Sequence, residues 1–478
     1  MNFLLSLALI VPIFSAIIIA TIPENNFKNL IAKFTPIFFC AILCGINSRL
    51  QNFYSLDVIS FSPHISLSFL VNKLVIKILF LLNFIWLICN FYGEKFYHLN
   101  AQKNSAKFKI FLAFFIAFLS LIFLAKNLLT LLFAYNCLAL TYYFLTTKFI
   151  FKTENSTTRI FSFLILIETI LLLFAIIFTA KYGESISFDA SGVLNDLTGR
   201  QTMYLFAIYF SGILLTIFTS SYLLYQKNFN FDPAFTYLAL PLFFGFGKLC
   251  ILIKIITEIF SIGAFVVLMD KIGLTIFEII ILINLLISLV WLLFSCDFKA
   301  IFFHLFFSQL IFAIFTIFIF ALYDEAFIYK LLPNFILSIT LIFLTFSNIM
   351  LYLAKAENKE MSGLFYDMKV TIALMLFGFL NLVGVAPALG AVEKFSLLKI
   401  VFQNNLSLAQ IIFAVNFFCL FLFTIKLFFP FFAKLEIAKS ELDKKLSAKI
   451  DSSASLMLAG LVVAAAMVLL PIIQFFYD

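Results

Sequence analysis

Long runs of apolar residues dominate the chain and are separated by short segments that carry most of its charged residues. Each run holds about 20 residues, the length that an α-helix needs to cross the hydrocarbon core of a bilayer. The alternating polarity of a transmembrane β-barrel is absent from these runs. The pattern therefore predicts an all-α polytopic membrane protein with about fourteen transmembrane helices, at 3–22, 29–47, 68–91, 108–125, 127–147, 159–180, 202–226, 236–255, 273–295, 299–321, 330–354, 370–402 (broken), 408–432 and 455–475.

Two apolar stretches allow more than one interpretation. The first run, from Phe3 to Ala20, has the apolar character of a secretory signal sequence. It lacks a preceding basic segment, and further spans follow it, so we interpret it as the first transmembrane helix. The stretch 256–269 is too short to be a separate span, and we expect it either to extend the eighth helix or to act as a connector.

Composition agrees with a membrane protein and excludes several site types. The chain has 478 residues, of which 64% are hydrophobic and 12% charged, whereas a soluble domain carries about 25% charged residues. The 7 cysteines lie in or beside apolar runs without the paired spacing of a metal site, and we interpret them as small core residues. The sequence also shows no nucleophile triad and no phosphate-binding loop, so we predict no cofactor and no metal. Its loops lack the Asp, His or Arg clusters of membrane enzymes that act on lipid-linked substrates.

The charges of the loops predict which side of the membrane each loop lies on. Short cytoplasmic loops of membrane proteins carry an excess of Lys and Arg. Such residues crowd the loops after the third, fifth and thirteenth predicted helices, whereas acidic residues mark the loops after the sixth and tenth. We therefore predict a multi-pass protein of the cell (inner) membrane with both termini outside the cytoplasm. The residues concerned are Lys95, Lys103, Lys107, Lys109, Lys148, Lys152, Arg159, Lys434, Lys439, Lys444, Lys445 and Lys449 on the cytoplasmic side, and Glu184, Asp189, Asp196, Asp324 and Glu325 outside.

Ionisable side chains also occur inside the predicted spans, where they are costly and by default indicate a pathway. Burial lowers the pKa of an amine and raises the pKa of a carboxyl, so that both groups can exchange a proton nearer neutral pH, as a proton relay requires. Lys254 and Glu258 are four residues apart, so they share a helix face and can pair. The other interpretations are a structural polar group bonded to a neighbouring helix and, for residues at helix ends, a side chain that reaches the membrane surface. The proton-relay candidates are Lys248, Lys394, Glu393, Lys254, Glu258, Glu168, Lys299 and His304.

The twelfth apolar run is interrupted by glycine and proline. In "NLVGVAPALGAVEKFSLLKIVF", Gly384, Pro387 and Gly390 precede the charged pair Glu393 and Lys394. Glycine and proline leave backbone groups without their helical hydrogen bonds, and a membrane interior tolerates such groups only where protein or water satisfies them. Because discontinuous helices are typical of ion-coupled transporters, whose half-helix ends help to hold ions, we predict a broken helix near 384–394 that serves ion or proton transfer.

The stretch "VGVAPALGAVEKFSLL" resembles the broken twelfth helix of the antiporter-like membrane subunits. These subunits occur in Mrp-type cation/proton antiporters and in respiratory complex I, the NADH–quinone oxidoreductase. Their usual pattern is Gly-x-Pro-Pro-x-x-Gly-Phe-x-x-Lys-Phe, and here Ala386 and Ala391 replace a Pro and the Phe. The resemblance implies that Lys394 is a proton-relay lysine.

Further stretches are similar to the same family in order and spacing, so that the resemblance covers roughly residues 65–430. "FDPAFTYLALPLFFGFGKLCILIKI" places Lys248 at a relay position, and "DFKAIFFHLFFSQLIFAI" keeps Asp297, Lys299 and Ser308. "NLLTLLFAYNCLALTYYFL" is similar to the fifth helix, but Tyr135 and Asn136 stand where the family has a Trp-Glu pair. The seventh helix lacks the family's lysine, and the eleventh lacks its His and Lys. On this comparison the charge pair of the first relay is absent and only parts of the second remain.

The resemblance implies two inverted five-helix repeats, formed by predicted spans 4–8 and 9–13. The domain limits would be 1–107 for the N-terminal helices, 108–272 and 273–432 for the repeats, and 433–478 for a charged linker and the last helix. The implied function is a membrane subunit of a proton- or cation-translocating complex, with other membrane subunits as partners and no nucleic acid. The alternative is a diverged, non-conducting subunit that packs against active paralogues. Any oxidoreductase chemistry would belong to partner subunits, because this chain shows no catalytic site of its own.

Overall fold

The computed structural model describes residues 1–23, 26–62, 65–100, 105–145, 156–183, 186–188, 193–194, 199–223, 238–272, 274–294, 298–324, 328–355, 362–433, 441–451 and 453–477. Apart from one two-stranded hairpin, the regular structure of these residues is helical. The chain divides into two compact units, residues 1–271 and 272–478. The predicted domain limits and inverted repeats stay predictions.

Apolar helices of membrane-spanning length confirm a multi-pass membrane protein. Among the described residues, 11 helices are long and apolar enough to cross a membrane, and 12 spans result if one bent helix pair is counted as a span. The predicted seventh and twelfth spans correspond to a helix at Gly199–Leu223 and to two short helices, Lys369–Val383 and Leu389–Gln403, which are not among the 11. The predicted number of fourteen and the predicted orientation therefore stay predictions.

The first unit contains nine α-helices within the described part of the chain. An α-helix satisfies its backbone hydrogen bonds within the segment, as a membrane interior requires. The nine helices are α1 (Asn2–Thr21), α2 (Asn26–Asn47), α3 (Lys73–Asn100), α4 (Ser105–Leu124), α5 (Leu128–Leu145), α6 (Ser156–Tyr182), α7 (Gly199–Leu223), α8 (Lys248–Lys254) and α9 (Ile262–Ile272).

A hairpin of β1 (Phe53–Ser62) and β2 (Ile65–Asn72) follows α2, although the sequence analysis predicts no strand. The first five residues of β2, "ISLSF", alternate apolar and polar residues, and that period of two is typical of a strand. The third membrane helix consequently begins at Lys73 and not near residue 68. The amide of Asn127 fixes the hairpin to the start of α5, because it donates to the Ser66 carbonyl at 2.6 Å and to Ser68 Oγ at 2.7 Å.

The eighth helix is irregular on both sides of α8. π-Helical segments at Leu238–Gly247 and Ile255–Ile259 flank it, and such segments occur frequently at functional sites. Ser261 has a positive φ of 61° and ends the helix, after which α9 leaves at a bend of 97°. The stretch 256–269 thus extends the eighth helix as far as Ile259, as one of the two expectations had it, and its remainder belongs to the separate helix α9.

The second unit is built around two helices that are buried almost over their whole length, α11 (Phe298–Tyr323) and α12 (Leu331–Lys355). Both sequences are mostly apolar, and the polar residues that they contain, such as Ser308 of α11 and Asn334 of α12, are also buried. The helices around them are α10 (Leu274–Phe294), α13 (Leu364–Asp367), α14 (Lys369–Val383), α15 (Leu389–Gln403), α16 (Ser407–Phe432), α17 (Glu441–Asp451) and α18 (Ala454–Tyr477).

The charged linker before the last span contains α17. Asp451, the last residue of α17, lies against the N-terminus of α14. Asp451 accepts hydrogen bonds from the backbone amides of Val370 (3.1 Å) and Thr371 (2.9 Å) and from the Thr371 hydroxyl (2.9 Å). A carboxylate at this position satisfies amides that have no partner within the helix and interacts favourably with the positive helix end. The linker therefore caps the helix that leads into the predicted break.

We expect the Asp451→Ala substitution to lower the free energy of unfolding by about 1–2 kcal/mol, because it leaves two helix-end amides without an acceptor. Unfolding of the detergent-solubilised protein by heat or denaturant measures the change. Lys449→Ala is the matched control, since Lys449 lies on the same helix and is exposed. Equal stability of both variants would show that the cap contributes nothing.

Candidate functional site

The first buried charge pair joins α6 to α8 in the first unit. The ammonium of Lys248 forms an ion pair with Glu168 Oε1, and the exposed fractions of the two side chains are 1% and 0%. The hydroxyl of Tyr135, on α5, donates to the same carboxylate oxygen and accepts from Lys248 Nζ at 2.8 Å. The Phe243 ring lies 5.0 Å from the ammonium. Three helices thus meet at one amine, one carboxylate and one phenol.

One oxygen of this cluster has no hydrogen bond. Glu168 Oε2 is buried and has no partner among the described residues, although buried polar atoms are nearly always bonded. The two carboxylate oxygens therefore differ: Oε1 receives the ammonium and the phenol, whereas Oε2 is the atom at which a proton can be added without breaking an existing bond. A carboxyl, an amine and a phenol in contact can exchange a proton by small changes in bonding.

A second pair lies one to two turns further along the same chain segment. Lys254 Nζ donates to Glu258 Oε2 at 3.0 Å and to the carbonyl of Ala125 at 2.8 Å. Lys254 is buried, whereas the side chain of Glu258 is 30% exposed. The predicted pairing of these residues is confirmed. The rise of a helix places Lys254 about 9 Å from Lys248 along the axis.

The second buried cluster lies at the break between α14 and α15 in the second unit. Glu393 Oε1 and Lys394 Nζ are 3.4 Å apart, and both side chains are about nine-tenths buried. Asn334, on α12, donates through Nδ2 to Glu393 Oε2. Its Oδ1 accepts from Asn381 Nδ2 at 2.8 Å, and that same nitrogen also donates to Ser338 Oγ. Both Glu393 oxygens consequently have a partner. Lys394 also faces the Phe312 ring at 4.1 Å.

Two glycines allow the end of α14 and the start of α15 to pack closely against each other. Gly384 ends α14 with a φ of 94°, and a Cβ atom there would lie 2.6 Å from Lys394 Cγ. A Cβ atom on Gly390 would lie 1.8 Å from the backbone oxygen of Asn381. The Asn381 side chain in turn accepts a hydrogen bond from the Gly390 amide at 2.7 Å, at the start of α15. Protein groups thus satisfy the freed backbone, as the membrane interior requires.

The remaining predicted site residues lie apart from these contacts or outside the described side chains. His304, on α11, stacks against Trp291 with the ring centroids 5.6 Å apart. The backbone of Lys299 belongs to the first turn of α11, but its side chain lies outside the described residues. The described residues contain no group of three or more His, Cys, Asp or Glu that could hold a metal ion.

The sequence analysis did not identify four buried polar residues that contact the charged side chains directly or through one another. Tyr135 was noted only as a departure from the family pattern, and Asn334, Ser338 and Asn381 were not singled out. Each is at most 2% exposed. A usable signal was present, since "LLPNFILSITL" and "GFLNLVG" place amides inside strongly apolar runs, where an unsatisfied polar group costs several kcal/mol.

The comparison with the family also missed the acidic partner of Lys248. Asn136 carries no charge, as noted above, and the fifth helix supplies the Tyr135 hydroxyl instead. The carboxylate comes from Glu168 on the sixth helix. The first unit therefore contains a buried lysine–glutamate pair although the family's own glutamate position is uncharged.

Comparisons with known proteins identify the fold. No family model and no curated protein sequence matches the chain. A chain in the structure of the Mrp complex from Dietzia sp. DQ12-45-1b matches with a TM-score of 0.73 and 13% identity, covering 100% of this chain and 96% of that chain. A chain in the structure of the membrane-bound sulfane sulfur reductase, an archaeal respiratory membrane complex, matches with a TM-score of 0.71 and 14% identity, covering 97% and 75%.

The class of protein follows from these matches. The chain is a multi-pass membrane protein with the fold of subunits of the Mrp complex and of a respiratory membrane complex. The expected all-α membrane fold, similar to that of antiporter-like subunits, is therefore confirmed, whereas the number of spans and the inverted repeats stay predictions.

Proposed function

We propose that the chain is a membrane subunit of a proton- or cation-translocating complex and that its buried lysine–glutamate pairs transfer protons. The observation that carries the proposal is one such pair in each unit, Lys248 with Glu168 and Lys394 with Glu393. The fold likeness to a chain of the Mrp complex supports the class of assembly. By the same likeness, the partners are other membrane subunits of an antiporter-like or complex I-like assembly.

The energetic cost of the pairs favours a functional role. Removing two charges from water costs several kcal/mol for each ion, and apolar residues of similar volume are often as stable or more stable. Inside a membrane the same cost makes ionisable residues rare and usually functional. Both pairs are deeply buried, so neither serves to anchor a helix end at the membrane surface.

The geometry supports a simple transfer step in the first unit. When the Lys248 ammonium gives its proton to Glu168, the ion pair becomes a neutral amine and a neutral carboxylic acid. The Tyr135 hydroxyl touches both groups and stabilises either state, since a phenol both donates and accepts. Lys254 and the partly exposed Glu258 then provide a route toward the surface. Lys299 and His304 stay candidate links in the second unit.

Reconstitution of the intact complex in liposomes tests the proposal. We expect Lys248→Ala and Lys394→Ala each to abolish most proton movement, because each removes the only amine of its pair. Lys399→Ala is the matched control for Lys394, as it lies five residues further along α15 and is exposed, and it should transport like the unchanged protein. Transport unaffected by both Lys248→Ala and Lys394→Ala would refute the assigned roles.

A non-conducting subunit that packs against active paralogues is the second candidate. The uncharged Asn136 and the lack of a lysine in α7 favour it. Under this alternative, complexes carrying Lys248→Ala or Lys394→Ala assemble and transport normally, whereas deletion of the whole chain prevents assembly. The same reconstitution therefore separates the two functions.

A further inference from the structure

A buried carboxyl on α10 belongs to neither of the two clusters. Glu278 lies just beyond the first turn of this helix and is 4% exposed. Its Oε1 atom is buried and has no hydrogen-bond partner among the described residues. The ion pairs of those residues do not include Glu278 either. Because an uncompensated buried carboxylate is costly, this position requires an explanation.

Two structural explanations do not fit the position of Glu278. It shares the buried face of α10 with Phe277 and Ile281, whereas Ile279 and Ile283 are exposed on the opposite side, where lipid would lie. The side chain therefore lies against protein and does not extend along lipid to the membrane surface. The first turn of α10 contains no acidic residue, and the favourable effect of a helix N-terminus on a carboxylate falls off beyond that turn.

The helices that pack against α10 bring no cation close to Glu278 within the described part of the chain. These helices are mainly α11 and α16. Their titratable side chains along α10 are Cys419, Lys426 and His304, which contact it at Leu285, Leu293 and Trp291. Even Leu285 is seven residues, or about 10 Å, along the axis from Glu278. The two charged or basic side chains, of Lys426 and His304, contact the far end of the helix.

The end of α11 lies beside Glu278 and is acidic. Phe277 stacks on Phe318 with the ring centroids 4.0 Å apart, which brings the last turns of α11 to the level of Glu278. Tyr323 ends α11, and Asp324 follows it. Neither side chain is a cation, so neither compensates a negative charge on Glu278. A bound proton removes that charge, and a neutral carboxylic acid is therefore the form that this environment favours.

Buried polar groups lie between the level of Glu278 and the second cluster. The Lys394 ammonium lies 4.1 Å from the Phe312 ring of α11. Gln309, three residues before Phe312, donates through Nε2 to Asn416 Oδ1 of α16 at 2.9 Å, and both amides are buried. Phe318 is six residues beyond Phe312, so Lys394 and Glu278 are separated by about 9 Å along the axis of α11.

We propose that Glu278 is a further proton-binding residue of the second unit, that it rests as a neutral carboxylic acid, and that it exchanges its proton with Lys394. The inference rests on the proposed function, since it adds a terminal group to the proton route of that unit. A proton that leaves the Glu278 acid converts it to a carboxylate. The same proton converts a Lys394 amine, which has passed its own proton on, back to an ammonium. Ionisable residues that face the interior of a membrane protein commonly serve such pathways.

Labelling with dicyclohexylcarbodiimide, an apolar reagent that attacks protonated carboxyls, tests the resting state. The acid proton passes to a nitrogen of the reagent, the carboxyl oxygen bonds to its central carbon, and the adduct rearranges to a stable N-acylurea. We expect mass spectrometry of the reconstituted complex to find the adduct on Glu278 at neutral pH and to show its loss as the pH rises. Glu393, bonded to Asn334 and Lys394, is the reference and should be labelled less. Absence of the adduct from Glu278 at neutral pH would overturn the proposal.

The Glu278→Gln substitution tests the exchange with Lys394. Glutamine has nearly the size of a neutral glutamic acid and carries no charge, so the variant should unfold like the unchanged protein. Proton uptake by liposomes that contain the complex should fall as far as in Lys394→Ala. Asp324→Asn is the matched control, because it removes a carboxyl at the same end of α11 from a position that is not buried, and it should transport normally.

The outcomes separate this inference from the proposed function. Normal proton uptake by Glu278→Gln, together with its loss in Lys394→Ala, refutes the role of Glu278 alone and leaves the lysine–glutamate pairs in place. Normal uptake by both Lys248→Ala and Lys394→Ala refutes the proposed function, and the exchange between Glu278 and Lys394 with it. Equal loss in Glu278→Gln and Lys394→Ala, with labelling of Glu278, supports both.

Discussion

Replacing Lys248 by methionine is expected to abolish proton transfer through the first unit and to lower the free energy of unfolding by about 3–5 kcal/mol. The stability change arises because the substitution leaves the fully buried Glu168 carboxylate with the Tyr135 hydroxyl as its remaining described hydrogen-bond donor. Methionine fills nearly the same volume as lysine, so packing changes little. Unfolding of the detergent-solubilised protein and proton uptake by proteoliposomes measure the two effects.

The double variant Lys248→Met with Glu168→Gln separates stability from transport. It contains no unpaired charge, so most of the lost stability should return, and the two substitutions should be strongly non-additive. Proton transfer should stay absent, since neither a titratable amine nor a titratable carboxyl is left. Lys399→Met is the control and should change stability by less than about 1 kcal/mol, as expected for an exposed position. A double variant that still conducts through this unit would contradict the relay role of the pair.

Replacing Gly390 by alanine is the second large expected effect. The new Cβ atom would lie 1.8 Å from the backbone oxygen of Asn381, and backbone atoms cannot move aside as a flexible side chain can. We expect a loss of about 3 kcal/mol in the free energy of unfolding, in the upper range for overpacked sites. We also expect loss of transport, because Asn381 would be displaced from both Gly390 and Asn334.

Gly263→Ala is the control for this prediction. No atom lies within 4 Å of the position that a Cβ would take on Gly263, and in a helix alanine is more favourable than glycine by up to about 1 kcal/mol. This variant should therefore be at least as stable as the unchanged protein and should transport normally. If Gly390→Ala behaves like Gly263→Ala, the close contact at the break does not hold the second cluster in place.

The two clusters differ in how their carboxylates are bonded. Glu393 has partners at both oxygens, Asn334 at one and Lys394 at the other, whereas Glu168 has a buried oxygen without a described partner. A proton added to Glu393 would therefore displace one of its hydrogen-bond donors, whereas Glu168 Oε2 has no described hydrogen bond to lose.

The sequence by itself determined the class of protein and the broken helix. Runs of about 20 apolar residues have few alternatives to membrane helices, because unsatisfied backbone groups are excluded from hydrocarbon. Gly384 and Gly390 indicated the break, because glycine disfavours the regular backbone hydrogen bonds of a helix. The pairing of Lys254 with Glu258 also followed from sequence, since a helix places residues four apart side by side.

The tertiary structure alone decided which distant residues complete each cluster. Glu168 and Lys248 are separated by 80 positions, and Asn334 and Glu393 by 59. The periodicity of a helix relates only residues a few positions apart, whereas the packing of helices determines which distant residues come into contact. For the same reason the sequence indicated Lys248 and Lys394 as costly buried charges, but Tyr135 and Glu168, which contact Lys248, became visible as its partners only where the helices come together.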